Sequence, residues 1–278
     1  MMPLNSLFFG FGLIFGSFLN VVIYRLRTHQ GICFGGSFCP ECKTKLKWYD
    51  LVPLLSFVVL LGHCRYCHKK ISWQYPIVEV LSGLIWIGVF YKVFDFSPFG
   101  GSPVGGQFFP LSGIPHSGTI FSFFYYIFIF SAFLIIAVYD FKWQIIPDKI
   151  IYPTTAIVLV YNIFPLTRGD YGGFLSHLFT AVIASLFFFL IFYFSKGKAM
   201  GFGDVKLAFL LGLFLGSFVA FMAFVLAFVV GAIFGIILIV FGEKTLKHKI
   251  ALGPFLIFGS TVAFFFFGAI SSFLNFYY

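Results

Sequence analysis

Charge is what this sequence has least of. Only 10% of its 278 residues are Asp, Glu, Lys or Arg, and only nine are acidic. A soluble domain carries about a quarter charged residues, so an ordinary water-exposed globule is excluded. Disorder needs low hydrophobicity and high charge, whereas 60% of this chain is hydrophobic, with 46 Phe. Period-two alternation of apolar and polar residues is also missing, which argues against a transmembrane β-barrel. Residues 1–24 contain no charged side chain, hence no basic n-region, and no A-x-A site follows them. They read as a retained span and not as a cleaved signal peptide.

What is present is a series of long, charge-free apolar runs, the mark of a polytopic all-α membrane protein. After the first span comes the only substantial polar segment, 25–75. Apolar runs follow at about 76–94, 120–139, 150–166, 174–195, 207–242 and 251–276. A Gly/Pro/Ser-rich stretch, 95–119, has no Lys or Arg. One crossing needs about 20 residues, so the 36-residue run 207–242 is long enough for two, with a turn expected at Gly216-Ser217. That predicts eight transmembrane helices: the first over 1–24, and seven forming a core over 76–278.

The net charge of +9 does not point to nucleic acid, because no basic, aromatic-interleaved face is visible. The basic residues instead sit between apolar runs, as topology determinants do. With 25–75 inside, every Lys and Arg except Lys92 and Arg168 faces the cytoplasm. Lys196, Lys198 and Lys206 precede the 36-residue run and Lys244, Lys247 and Lys249 follow it, which fits an even number of crossings between them. Both termini are then extracytoplasmic.

Four of the five cysteines read Cys39-Pro-Glu-Cys42 and Cys64-Arg-Tyr-Cys67, 21 residues apart. Paired C-x-x-C turns at this spacing predict a closed, structural Zn²⁺ site of four thiolates. Disulfides would conflict with a reducing cytoplasmic face. His63 and His68 flank the second turn as alternative ligands, and Cys33 is left over as a free thiol.

Acids at a membrane boundary are costly and call for an explanation. Asp140 ends the third span, and Asp204 opens the sixth in Gly201-Phe202-Gly203-Asp204-Val205-Lys206. The topology puts both at the cytoplasmic edge. Two adjacent carboxyls can share one proton, one acting as general base on water while the other donates to a scissile carbonyl. Gly201 and Gly203 allow close backbone approach. Taken alone, Asp204 would read as a helix cap favoured by the dipole. Asp148 is expected to N-cap the fourth span. Glu79, one turn into the second span, calls for a basic partner or a polar cavity. Asp50, Asp95, Asp170 and Glu243 read as solvated loop acids.

The residues resemble the type IV prepilin peptidase family (prepilin leader peptidase/N-methyltransferases) over nearly the whole chain. Gly16-Ser17-Phe18-Leu19-Asn20 through Arg25 is similar to its first-span signature, and the paired C-x-x-C turns follow. Tyr75-Pro76-Ile77-Val78-Glu79, the Asp140–Asp148 pair, Gly201–Lys206 and Gly253-Pro254-Phe255 resemble its other motifs. The resemblance implies that Asp140 and Asp204 are the catalytic pair, supported by Gly201, Gly203, Lys206 and Asp148. It implies that type IV prepilins or type II secretion pseudopilins are cut at the cytoplasmic face of a bacterial inner membrane. It also implies N-methylation of the new N-terminus with S-adenosylmethionine, the polar 25–75 segment being the part associated with methyl transfer. No G-x-G-x-x-G loop marks a site for that cofactor. Two departures stand out: the proline often found after Arg25 is missing from Arg25-Leu26-Arg27, and His63 replaces a basic residue. A presenilin-like protease also pairs Tyr-Asp with G-x-G-D, but its Pro-Ala-Leu motif is absent here. An ion-coupled transporter would place its acids nearer mid-membrane.

Overall fold

The computed structural model describes residues 2–28, 31, 35–94, 117–163, 171–198, 200–241 and 251–273. Cys33, Asp95, Arg168, Asp170, Glu243, Lys244, Lys247, Lys249 and nearly all of the 95–119 stretch lie outside the described residues. The described chain is helical, and its only β features are two isolated bridges. The helices are α1 (Met2–Thr28), α2 (Leu55–Val59), α3 (Gln74–Val93), α4 (Ser117–Trp143), α5 (Asp148–Ile163), α6 (Tyr171–Phe194), α7 (Phe202–Leu215), α8 (Ser217–Val240) and α9 (Gly253–Phe273). The chain is an all-α membrane protein. Five helices, α1, α3, α4, α6 and α8, are long and apolar enough to cross a bilayer. α7, at 14 residues, spans only about 21 Å against a hydrocarbon core of about 30 Å.

The chain divides into two compact units. The first holds residues 1–96 with 119–135. Its centre is an antiparallel α1–α3 hairpin. Asn5 Nδ2 donates to Tyr91 Oη at 2.6 Å and Asn20 Nδ2 to the Tyr75 carbonyl at 3.1 Å. Between these bonds the helices meet backbone to backbone. A Cβ on Gly12 would fall 2.6 Å from Gly83 Cα, and one on Gly16 would fall 2.7 Å from Glu79 Cα. Small residues four apart let helices approach closely in lipid, where apolar burial between helices gives little drive. Buried Arg25, near the end of α1, donates to the carbonyls of Gly31, Gly35 and Gly36 and holds the chain that leaves the helix.

The second unit holds 97–118 with 136–278. Its core helix is α7, buried almost all round from Asp204 to Leu215, as expected of a helix with no polar face. Gly212 admits α6 closely, since a Cβ there would lie 2.8 Å from Ala181 Cα. The long apolar run breaks at Gly216, at φ 77°, where the sequence places its turn. The break orphans the Leu213 carbonyl, which accepts instead from Asn162 Nδ2 at 3.0 Å and His177 Nδ1 at 2.9 Å. A buried, unpaired carbonyl would cost about 1–3 kcal/mol, and these two buried polar side chains prevent that.

Candidate active site

Asp140 lies three residues before the end of α4 and is 5% exposed; Asp204 is the third residue of α7 and is 9% exposed. Both are therefore inside their helices, slightly deeper than a strict boundary position. Each carboxyl rests on a glycine amide. Gly253 N–H, at the start of α9, donates to Asp140 Oδ2 at 3.1 Å. Gly201 N–H, just before α7, donates to Asp204 Oδ2 at 3.2 Å, while Asp204 N–H returns a bond to the Gly201 carbonyl. Asp204 thus caps its own helix, and it lies in the same compact unit as Asp140.

The glycines have separate tasks. A Cβ on Gly253 would meet Asp140 Oδ2 at 2.5 Å, and one on Gly203 would meet Ile146 Cβ at 3.1 Å. Gly253 therefore lets α9 close on the acid, and Gly203 lets the α4–α5 loop pack against α7. Gly201 faces no such crowding; what it contributes is its amide. In the sequence Gly253 carries no task beyond its place in Gly253-Pro254-Phe255. A Gly-Pro pair opening an apolar run was the available signal, since proline suits the first turn of a helix.

Asp148 departs from expectation. α5 begins at Asp148, and the amides of Ile150 and Ile151 donate to the Pro147 carbonyl and not to the Asp148 side chain. The Asp148 carboxylate instead accepts from Lys206 Nζ at 2.6 Å. Lys206 also lies over the rings of Tyr152 and Phe202. The pair ties α5 to α7 one half-turn from Asp204.

The four cysteines converge. Their sulfurs lie within 4.8 Å of one another, with Cys39 and Cys67 Sγ atoms 4.0 Å apart. Zn–S bonds of about 2.3 Å put tetrahedral sulfurs about 3.8 Å apart, so the set fits one zinc ion. The two turns are copies. Lys43 N–H bonds to the Cys39 carbonyl and His68 N–H to that of Cys64, with Lys43 and His68 both at positive φ. Each turn closes through one bridge, Phe38 to Lys45 and His63 to Lys70. Hydrogen bonds from Thr44 pull the Cys42 thiol down to about 6. The Lys69 amide favours a Cys67 thiolate, but burial and the neighbouring sulfurs push that thiol up to about 11. A divalent cation would resolve this crowding of thiols.

Asp50, expected to be solvated, is instead the clasp between the turns. Its side chain is 3% exposed and accepts from Arg65 Nε at 2.7 Å, Tyr66 Oη at 3.0 Å and Lys47 N–H at 3.2 Å. Burial opposes its ionisation, but these bonds outweigh it and hold the carboxyl below the usual range. Glu79, expected to have a basic partner or a polar cavity, is held by Leu54 N–H at 2.9 Å and the Ser17 hydroxyl. For S-adenosylmethionine, the described residues contain no strand and hence no glycine-rich strand–helix turn. Nothing in them supplies a fit on which cofactor contacts could be assigned.

Two buried, helix-borne aspartates and a four-cysteine site in one polytopic membrane protein fit a class, that of membrane-embedded peptidases. Residues 11–93 match the family described as Bacterial Peptidase A24 N-terminal domain, and residues 127–236 match the Type IV leader peptidase family. The chain is 32% identical to a protein of Klebsiella pneumoniae named prepilin leader peptidase/N-methyltransferase, with 76% of this chain and 85% of the relative covered. It is 32% identical to a Vibrio cholerae protein of the same name, over 72% and 73% of the two chains. A Bacillus subtilis protein, again of that name, is 27% identical over 96% of each chain. No solved structure matches. The chain belongs to the prepilin leader peptidase/N-methyltransferase family, and with that the presenilin and transporter alternatives fall away.

Proposed function

We propose that the protein removes the leader peptide from type IV prepilins or type II secretion pseudopilins at the cytoplasmic membrane face, with Asp140 and Asp204 as the catalytic pair. It then N-methylates the new N-terminal residue with S-adenosylmethionine. The observation that supports this reading is that two carboxyls, one on α4 and one on α7, are both buried, each with Oδ2 anchored on a glycine amide. Anchoring one oxygen leaves the other, Oδ1, for water and substrate. One carboxylate takes a proton from the attacking water, and its protonated partner donates to the scissile carbonyl. As the tetrahedral intermediate collapses, the proton passes to the departing amine. Gly201, Gly203, Lys206 and Asp148 position the dyad.

The cytoplasmic 25–75 segment serves methyl transfer, and Zn²⁺ on Cys39, Cys42, Cys64 and Cys67 holds it folded. Structural zinc supplies folding free energy directly. Eight helices cross the inner membrane, with both termini extracytoplasmic. The test is mass spectrometry of the N-terminus of a co-expressed prepilin. Wild type should yield a cut, methylated N-terminus. Asp204→Asn should leave the leader attached yet still methylate a precleaved peptide. Uncut prepilin with the wild-type protein would sink the reading, and loss of both activities in a folded Asp204→Asn protein would argue for one shared site.

A further inference from the structure

The chain between the two cysteine turns exposes an apolar surface outside the membrane spans. Leu55 is 64% exposed, Val58 65%, Val59 73% and Leu61 82%. Trp73, 71% exposed, extends it, its ring 5.1 Å from that of Phe57 on α2. So many exposed apolar side chains within one short segment mark an interaction surface.

Three observations say what covers it. The first is depth. α3 has 20 residues, about 30 Å of helix, matching one hydrocarbon core. Glu79 follows Gln74 by five residues, so its Cα lies about 7.5 Å below the start of α3. Helical side chains lean toward the N-terminus, and Glu79 Oε2 holds Leu54 N–H at 2.9 Å. The start of α2 is thereby fixed level with the first turns of a membrane-spanning helix. Interfacial helices sit about 5–10 Å into the headgroup–acyl boundary. Leu54 itself has φ 58°, a conformation that persists only where its surroundings enforce it.

The second is continuity. The outward residues at the start of α3, Ile77 and Leu81, are exposed apolar side chains on a spanning helix. Trp73 immediately precedes that helix, at the level where indoles gather in membrane proteins. The third is charge. Residues 35–73 carry six Lys and Arg against two acids, a net charge of +4, and all six basic residues are exposed. Clustered basic groups beside a spanning helix are attracted to anionic headgroups.

We propose that α2, with Leu61 and Trp73, is an interfacial anchor that inserts into the headgroup–acyl boundary of an anionic bilayer. It seats both cysteine turns on the membrane surface beside the α1–α3 hairpin. The full-length protein carrying Trp48→Phe, Trp86→Phe and Trp143→Phe keeps Trp73 as its sole indole. It is reconstituted with anionic lipids brominated either just below the headgroup or near the chain ends, with zinc content reporting the fold. Shallow bromine should quench Trp73 at least twofold more than deep bromine. Adding Val58→Ser and Leu61→Ser should at least halve that quenching with zinc retained, and zwitterionic lipid should weaken it. A Trp73 quenched by neither lipid would overturn the proposal. So would one unquenched by lipid but shielded on addition of a prepilin's apolar helix, which would give this face to a protein partner.

Discussion

Asp140 and Asp204 are 64 residues apart in sequence, on different helices, yet each spends one carboxyl oxygen on a glycine amide. Such pairing leaves both acids oriented before any substrate arrives, and prior orientation is a large part of catalysis. Asp140→Asn or Asp204→Asn should each lower cleavage by orders of magnitude. The double variant should be hardly worse than either single one, because residues acting as a unit are non-additive. Cleavage by wild type should follow a bell-shaped pH profile, one carboxyl being needed ionised and the other protonated. A folded Asp140→Asn protein with near-wild-type cleavage would remove that aspartate from the reaction. Gly253 gives a separate prediction. Its missing Cβ leaves room for Asp140 Oδ2, so Gly253→Ala should displace the acid and lower kcat for cleavage about 100-fold, the scale of an ångström-sized misplacement. KM for prepilin should hold, and so should methylation of a precleaved peptide. A fall confined to KM would mean that Gly253 serves binding only.

At the scale of elements, the same device recurs: contacts at one short sequence separation fix the shape of another segment. The cysteine turns cannot hold their spacing by themselves, because 21 residues separate them. Asp50 closes that gap by accepting from Arg65 and Tyr66, both within the second turn. A half-exposed Arg partner makes the ion pair itself a modest contributor. Most of the cost of losing Asp50 is instead the loss of order between the turns. The carboxyl is held below its ordinary value, so its contribution is present above about pH 4 and fades as pH falls below that. Asp50→Ala should therefore speed proteolysis of the 35–73 segment at neutral pH while zinc stays bound. Cys39→Ser should lower zinc content as well as speed proteolysis. Zinc-free wild type, prepared without chelator, would refute the metal site, and an Asp50→Ala protein as resistant as wild type would refute the clasp.

At the scale of the whole molecule, the two matched family regions, 11–93 and 127–236, fall largely on the two compact units. Charge sets the expected orientation: all Lys and Arg but two lie in segments assigned to one side. Opposite placement would move that excess to the outer face, against the positive-inside rule. A maleimide added outside intact cells should accordingly fail to label Ser37→Cys, and should label it after the membrane is permeabilised. Labelling in intact cells would invert the topology. α7 is the element to watch when crossings are counted, since a 14-residue helix cannot reach across the core without the residues that flank it.

Much of this was legible in the chain itself. Long charge-free runs dictate helices in lipid, because a backbone without water must satisfy its own hydrogen bonds. Two C-x-x-C turns announce four thiols able to hold one metal ion, and a carboxylate at a helix boundary announces itself by its cost. The break at Gly216 was also readable, from the length of the run together with its Gly216-Ser217 pair. Tertiary structure decided the rest, where the partner is a backbone group that has no side-chain signature. Gly253 reads as a helix opener until its amide is found on Asp140. Asp50 and Asp148 look like a loop acid and a cap until Arg65 and Lys206 reach them from 15 and 58 residues away. Glu79 suggests a charged partner, but the chain satisfies it with the Leu54 amide, whose position no local pattern specifies. Periodicity and spacing report what a residue must bury or ligate; which distant backbone atom meets it depends on the packing of helices that the sequence does not place.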